Sequence, residues 1–370
     1  MIGRVLAIAR KELIQLRRDP RSLILAFLLP PGLILFFGYA IKFDVDEIRL
    51  AVWNGDHTQV SERLVDAFRW SGKFVIVARP ATYGDAARPL ERREVVAVLG
   101  IPPGFAADLA AGRPAPVQLL LDGSDANTAT IALGYARGIV AAFSTRATLQ
   151  GRTVEPPVRA ASRVWYNEAL ESRNMVVPGL IAVITSIIAA LLTALTIARE
   201  WERGTMEQLV STPVGESEIV VGKLLPYLAI GLVDVALTVV LGTVLFHVPF
   251  RGSVLLLFLL TTPFLVAALS FGMFISAALK SQVLATQFAM IGTYLPALIL
   301  SGFIFAIANM PPVIQALTYF FPARFYVSVT KAVFLKGVGL GTLWKEGLAL
   351  VLFAVVGLAL TMRVFRKEVA

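Results

Sequence analysis

Long apolar runs alternate with short basic stretches along this chain, and that alternation predicts helices that cross a bilayer. Residues 22–41, 176–198, 224–246, 254–279, 283–306 and 347–362 form such runs; about 20 apolar residues at helical rise span a hydrocarbon core roughly 30 Å thick. Lys and Arg gather in 4–21, in 199–223, at 280 and in 363–367. The excess of positive charge on cytoplasmic loops places these intervals on one side, with both termini cytoplasmic and the 247–252 turn outside. The run 22–41 is interrupted by Pro30-Pro31-Gly32, a break that neighbouring helices tolerate. It is too long for a signal-peptide core and is expected to remain as an uncleaved anchor.

Before the first run, Ile2, Val5, Leu6, Ala9, Leu13 and Leu16 recur at helical spacing, with Arg4, Lys11, Arg17 and Arg18 off that stripe. Residues 1–21 are therefore expected to form an amphipathic helix on the cytoplasmic membrane surface, ended by Asp19-Pro20. From 42 to 173 the pattern changes: charge, Pro and Gly return and no segment is long enough to span. Short runs at 48–53, 74–78, 95–99 and 117–121 predict strands, and 59–70 and 127–150 predict helices. Turn residues at Asn54-Gly55, Pro102-Pro103-Gly104 and Asp122-Gly123 separate them. The fold class is a polytopic α-helical membrane protein of six transmembrane helices, with an external, periplasmic α/β domain inserted between helices 1 and 2. Residues 22–41 are the first helix, and 174–370 hold helices 2 to 6. Within the latter, 307–345 is a second external segment, unusually apolar, which Met310-Pro311-Pro312 and Phe321-Pro322 divide into short pieces that dip back into the membrane.

Composition agrees. Of the 370 residues 57% are hydrophobic and 16% charged, with a mean hydropathy of +0.74, which excludes an ordinary soluble globular protein. The net charge of +9 follows from cations flanking the apolar runs, where they meet anionic lipid, and calls for no nucleic acid. With no Cys and only His57 and His247, far apart, neither a disulfide nor a metal site is expected. Asp122 and Asp125 resemble a cation pair in composition, but carboxylates in a Gly-Ser turn more often serve as turn and capping residues.

The charged segment 199–213 follows directly on an apolar helix. Arg199 and Arg203 mark its cytoplasmic end, with Glu200 and Glu202 between them, and Gly204 is placed to stop it. Thr205 lies three residues before Gln208, a capping-box spacing, so a second short helix through Met206, Glu207, Leu209 and Val210 is predicted, ended by Thr212-Pro213. A plain solvated loop between two spans has the same composition.

Four groups of residues decide between these readings: Arg-Glu-Trp-Glu-Arg-Gly-Thr-Met-Glu-Gln-Leu at 199–209, Gly222-Lys223-Leu-Leu-Pro-Tyr, Ser301-Gly-Phe-Ile-Phe through Met310-Pro-Pro, and Phe321-Pro-Ala-Arg-Phe-Tyr with Leu335-Lys-Gly. Together they resemble the type-2 ABC exporter permease family. Val98-Leu-Gly-Ile-Pro-Pro-Gly-Phe and Leu121-Asp-Gly-Ser-Asp-Ala-Asn-Thr-Ala resemble its members with a large domain after the first span, several of which work beside periplasmic membrane-fusion proteins in drug or lipid export. The likeness covers nearly the whole chain; 304–307 lacks the Pro often found there. The resemblance implies that Glu202 to Leu209 contact an ATPase against which the amino-terminal helix also lies. It implies that the external segment, with Met310, Pro311, Pro322, Arg324 and Phe325, lines an outer gate. It implies an inner-membrane complex of two permease chains, identical or different, with two ATPase subunits.

The chain itself lacks a phosphate-cradling loop. Neither Gly72-Lys73-Phe74 nor Gly222-Lys223-Leu224 has the earlier Gly and following Ser or Thr that one needs. ATP and Mg are thus expected on the partner ATPase, with no cofactor on this chain and no enzymatic activity of its own. Spans so poor in charge suit a hydrophobic or amphipathic, drug- or lipid-like cargo. One alternative class is an ion-coupled secondary transporter using Asp234, an ionisable residue within the third span, which otherwise hydrogen-bonds inside the bundle.

Overall fold

The computed structural model describes residues 2–40, 47–124, 126–148, 166–167 and 171–365. Asp125 and the cations at 366 and 367 lie outside the described residues. Contacts divide the chain into two units, 43–162 and 1–42 with 163–370.

In the 43–162 unit, β1 (Ile48–Asn54), β2 (Phe74–Ala78), β3 (Ala97–Ile101) and β4 (Gln118–Leu121) make one sheet in the order β2-β1-β3-β4. β1 is parallel to β2 and β3, and β4 is antiparallel to β3. Parallel neighbours need a crossover. The helix α4 (Gln59–Trp70) supplies one, and the short α5 (Tyr83–Ala86) and α6 (Arg88–Glu91) lie in the next connection. Thr58 fixes the start of α4: its hydroxyl accepts the Ser61 N–H at 3.2 Å while Ser61 Oγ accepts the Thr58 N–H at 3.1 Å. Leu64, Val65 and Phe68 of α4 then pack with Leu50, Val52, Phe74 and Leu99 of the sheet. The helices α7 (Phe105–Ala110) and α8 (Ala126–Thr148) add Phe105, Ala132 and Ala136 to this core. The third strand lies two residues later than its hydrophobic run. Glu94 and Val95 both donate to Pro89 O and close a turn; the Val96 N–H then donates to Arg49 O at 2.9 Å, and the paired register runs from Ala97 through Gly100 and Ile101. Asp122 Oδ1 accepts the Ser124 N–H at 2.9 Å, the turn role expected of it.

The second unit is helical: α1 (Ile2–Arg17), α2 (Pro20–Leu23), α3 (Leu29–Ala40), α9 (Ser172–Glu202), α10 (Met206–Val210), α11 (Glu216–Val244), α12 (Val254–Leu279), α13 (Gln282–Leu295), α14 (Pro312–Thr318), α15 (Pro322–Lys331) and α16 (Leu340–Val364). Five stretches among the described residues are long and apolar enough to cross a membrane: α9, α11, α12, Gln282–Leu300 and α16; Ile24–Ala40 is a shorter apolar helix. The protein is a multi-pass membrane protein. Helix α9 is the most enclosed and packs against α3, α11, α12, α13 and α15. Thr193 of α9 donates to Leu269 O of α12 at 2.8 Å, and Ser276 Oγ accepts the Ala198 N–H at 2.9 Å. These bonds between helices suit an apolar bundle with no hydrophobic drive to associate.

Four expectations are corrected here. Pro30-Pro31-Gly32 does not break the first apolar run: the disturbance is a π turn at Ile24–Leu28, closed by the Leu29 N–H on Ile24 O, and α3 runs through the prolines. A wide turn makes room for a ring that would otherwise strike the carbonyl four residues back. The apolar stripe of α1 splits: Val5, Ile8, Glu12 and Leu16 turn inward along α11, while Ile2, Leu6 and Leu13 remain exposed. Helix α16 begins at Leu340, so it takes up the last six residues of the 307–345 segment, and Lys345-Glu346 sit in its second turn rather than before it. Asp234 does not satisfy both carboxylate oxygens within the bundle. It is 2% exposed, and its Oδ1 has no hydrogen-bond partner among the described residues.

Candidate functional site

Helix α9 stops because Gly204 takes a left-handed conformation, φ +67°, which only a residue without a Cβ adopts freely. Helix α10 follows at once. It has no amino-terminal side-chain cap: Thr205 is in helical conformation, and its hydroxyl reaches back to Glu200 O at 3.4 Å, so the expected capping box with Gln208 does not form. The helix is held instead from behind, where Ser211 Oγ donates to Gln208 O at 2.8 Å and Thr212 Oγ1 to Leu209 O at 2.6 Å. Met206 is buried as its anchor and Leu209 packs partly on the core. Arg203, Gly204, Thr205, Glu207 and Gln208 are exposed together.

The remaining charged residues of 199–209 are tied to neighbouring elements, and Glu200 is the one that is buried. Glu200 is 3% exposed and pairs with Lys223 of α11 at 2.9 Å and with Lys11 of α1. Lys223, 1% exposed, also meets Glu12 Oε1 at 2.7 Å. Two ammonium groups and two carboxylates thus share one site at the junction of α1, α9 and α11, and their charges cancel. Gly222 makes the junction possible, since a Cβ there would stand 2.8 Å from Ile8 Cβ and 3.0 Å from Val5 O. Arg199 reaches Asp19 at 2.8 Å, beside the turn into α2. Partial burial opposes the charge of Asp19, but the Ser22 hydroxyl and the Arg199 guanidinium outweigh it and hold the carboxyl below the usual carboxylate range.

Glu202 is tied as well. One oxygen accepts the Gln282 N–H at 2.7 Å and the other the Gln282 side-chain amide, so this carboxylate caps α13. Next to it the Lys280 ammonium lies 4.2 Å from the centre of the Trp201 ring. The end of α9 is therefore bonded to α1, α11 and the α12–α13 turn, while α10 projects its polar face from that junction.

The other predicted residues fall in two further places. Arg324 of α15 donates to Gln315 O at 3.2 Å and to the Thr318 hydroxyl, and lies 3.5 Å from the Tyr319 ring; Phe325 pairs with Tyr319 and Phe353. Met310 O accepts the Gln315 amide at 2.9 Å, and Pro311 and Pro322 stand just before α14 and at the first position of α15, so these five residues share one corner. Behind them Tyr326 stacks on Phe264 at 3.9 Å and shares a 2.8 Å hydrogen bond with Thr261. Asp234 lies on α11. Among the described residues no group of His, Asp and Glu is suited to a metal ion.

Sequence reading missed Lys11, Glu12, Asp19 and Lys223 as members of the site. The available signal was Lys223, a cation seven residues into a helix that continues without charge to Asp234.

The family described as ABC-2 family transporter protein matches residues 20–363. The chain is 37% identical over 345 residues to the probable multidrug ABC transporter permease YbhS of Escherichia coli strain K12, covering 90% of this chain and 89% of that protein. It is 30% identical over 374 residues to the probable multidrug ABC transporter permease YbhR of the same strain, covering all of both, and 21% identical over 348 residues to the linearmycin resistance permease protein LnrN of Bacillus subtilis strain 168, covering 88% and 89%. A match across that length, on a chain whose apolar helices surround α9, makes it a member of the ABC-2 transporter family.

Proposed function

We propose that this chain is the membrane-spanning subunit of an ATP-driven exporter of hydrophobic or amphipathic compounds, drug- or lipid-like, in the cell inner membrane. Six spans, counting Ile24–Ala40, put both termini in the cytoplasm and the 43–162 unit outside. Two ATPase subunits bind ATP and Mg, a second permease chain completes the complex, and a periplasmic membrane-fusion protein meets the external unit. The observation that carries the reading is the bonding at the end of α9: a push on α10 passes through the Gly204 turn to Glu200 and Glu202, and from them into α1, α11 and α13. The 310–325 corner, whose Phe320–Ala323 lie beside the middle of α12, is the outer gate. The names of the relatives support the permease role.

The test uses Glu207 and Gln208, which are exposed, rather than Leu209, which packs on the core. Replacing both with Lys reverses one charge and adds another, at about 2 kcal/mol or more of association where the contact is buried. Co-purification of the ATPase and substrate-stimulated ATP hydrolysis in reconstituted membranes are both expected to fall. Wild-type assembly and hydrolysis would make α10 a solvated loop. A second reading, ion-coupled transport, is favoured by one observation, the buried Asp234 oxygen without a partner. Transport driven by a proton or sodium gradient, in vesicles without the ATPase and lost in Asp234→Asn, would establish it instead.

A further inference from the structure

The helical unit leaves a cavity of about 290 Å³ between α9, α12, α13 and α16, bounded at one end by Phe320–Ala323. Its lining carries no charged side chain. Phe271, Phe274 and Phe353 supply flat apolar walls, and Ala268, Gly292 and Ala297 leave the room between them. The only hydroxyls in the lining are those of Ser186 and Thr293, and Thr293 already donates to Ala289 O at 2.6 Å. A buried water needs two to four polar partners, so this space does not suit water.

Its mouth shows what does suit it. Val356 and Leu360 line the cavity and are 45% and 44% exposed, on the same outward side of α16 as Leu352 and Val355. That side belongs to a helix long and apolar enough to cross a membrane. The cavity is therefore open on this lateral side, on surface that hydrocarbon covers, while Phe320 at its end is itself 73% exposed. Hydrocarbon gains contacts with the aromatic walls there that it lacks in the open bilayer.

We propose that this cavity receives the hydrocarbon chain of a bilayer lipid, entering past Val356 and Leu360 and ending against the Phe320–Ala323 corner. The proposal rests on the apolar helices crossing a bilayer and requires no ATPase partner. The two readings can therefore fail separately. A chain lying there buttresses α13 and α16 against α12, so its arrival and departure bear on the corner formed by α14 and α15.

The test is photolabelling of the full-length chain in phosphatidylcholine nanodiscs doped with a phosphatidylcholine that carries a diazirine midway along one chain. Labelled peptides are then mapped by mass spectrometry. Phe271 and Phe353 are expected to label at least as strongly as the fully outward Leu352. Ala268→Leu, which grows into the cavity, is expected to lower labelling at Phe271 at least fivefold while leaving Leu352 unchanged. Phe353→Ala enlarges the cavity, needs no overpacking, and is expected to raise labelling at Phe271. Labelling confined to outward residues, or labelling at Phe271 that responds to neither substitution in monodisperse protein, overturns the proposal.

Discussion

Lys223 Nζ lies 2.7 Å from Glu12 Oε1, joining residues 211 positions apart in the chain. Because Glu200 shares the same ammonium at 2.9 Å, neither carboxylate can lose it without remaining buried and underpaired. Breaking one partner of a buried ion pair costs about 3 to 5 kcal/mol, whereas replacing the whole set with apolar residues of similar volume is often neutral. Lys223→Met alone is thus expected to lower the melting temperature of the purified protein sharply. The combined Lys223→Met, Glu12→Leu and Glu200→Gln variant is expected to recover much of the loss, with Lys11 left at the rim. Equal losses in both would mean that the cluster is not an energetic unit.

How much of this was legible beforehand depends on the range of the interaction. Residues 59–70 read as a helix from their periodicity and are one, and α12 occupies the whole run 254–279, because those signals are local. Gly204 read as a stop because a left-handed residue is a local need. The inward pairing of Glu200 was not legible, since nothing in 199–209 announces that α1 will lie along α11 and bring Glu12 and Lys11 to it. For the same reason nothing near Glu202 in the sequence announces that Gln282, 80 positions away, bonds both of its oxygens.

That last bond makes its own prediction. Capping by a side-chain oxygen stabilises a helix start by about 1 kcal/mol. In Glu202→Ala the first turn of α13 is expected to exchange its amide hydrogens faster, at Gln282 above all, while the exchange of α12 stays as it was. Gln282→Ala removes only one of the two bonds and is expected to have a smaller effect. The two substitutions should not add, because they delete one interaction.

The 43–162 unit has its own core and is expected to fold when expressed alone. Glu62 gives it a pH signature. A hydrogen bond from Asn54 Nδ2 at 3.0 Å lowers the Glu62 pKa below its model-compound value of 4.5; slight burial opposes this and Arg79 at 3.3 Å reinforces it. A carboxylate with a depressed folded pKa stabilises above its unfolded value, and that contribution disappears as pH falls through the folded one. Melting temperatures measured by circular dichroism are expected to drop on acidification below pH 4.5, and less steeply in Glu62→Gln. Parallel curves would remove Glu62 from the account.

The chain contains no Cys, so single cysteines report sidedness directly. An impermeant thiol reagent applied to intact cells is expected to label His57→Cys and His247→Cys, both exposed, and to leave Arg203→Cys and Lys280→Cys unlabelled until the cells are opened. Labelling at 203 together with protection at 247 would invert the proposed orientation, and labelling at both would remove the span between them.

Gly204 isolates the backbone geometry of the junction from its side chains. At φ +67° an L-residue with a Cβ meets the following carbonyl, at about 1 to 2 kcal/mol, while Asn tolerates the conformation by local hydrogen bonding. Nothing lies within 4 Å of where a Cβ at 204 would be, so crowding plays no part. Gly204→Asn is therefore expected to keep nearly all the stability of the parent, Gly204→Ala to lose roughly 1 kcal/mol, and Gly204→Val more, since a β-branched residue suits that conformation least. If α10 carries force from an ATPase, ATP hydrolysis stimulated by substrate should fall in the same order, Asn, then Ala, then Val, at equal amounts of assembled complex. A stability series in that order with unchanged stimulation would leave the turn as a helix stop and nothing more.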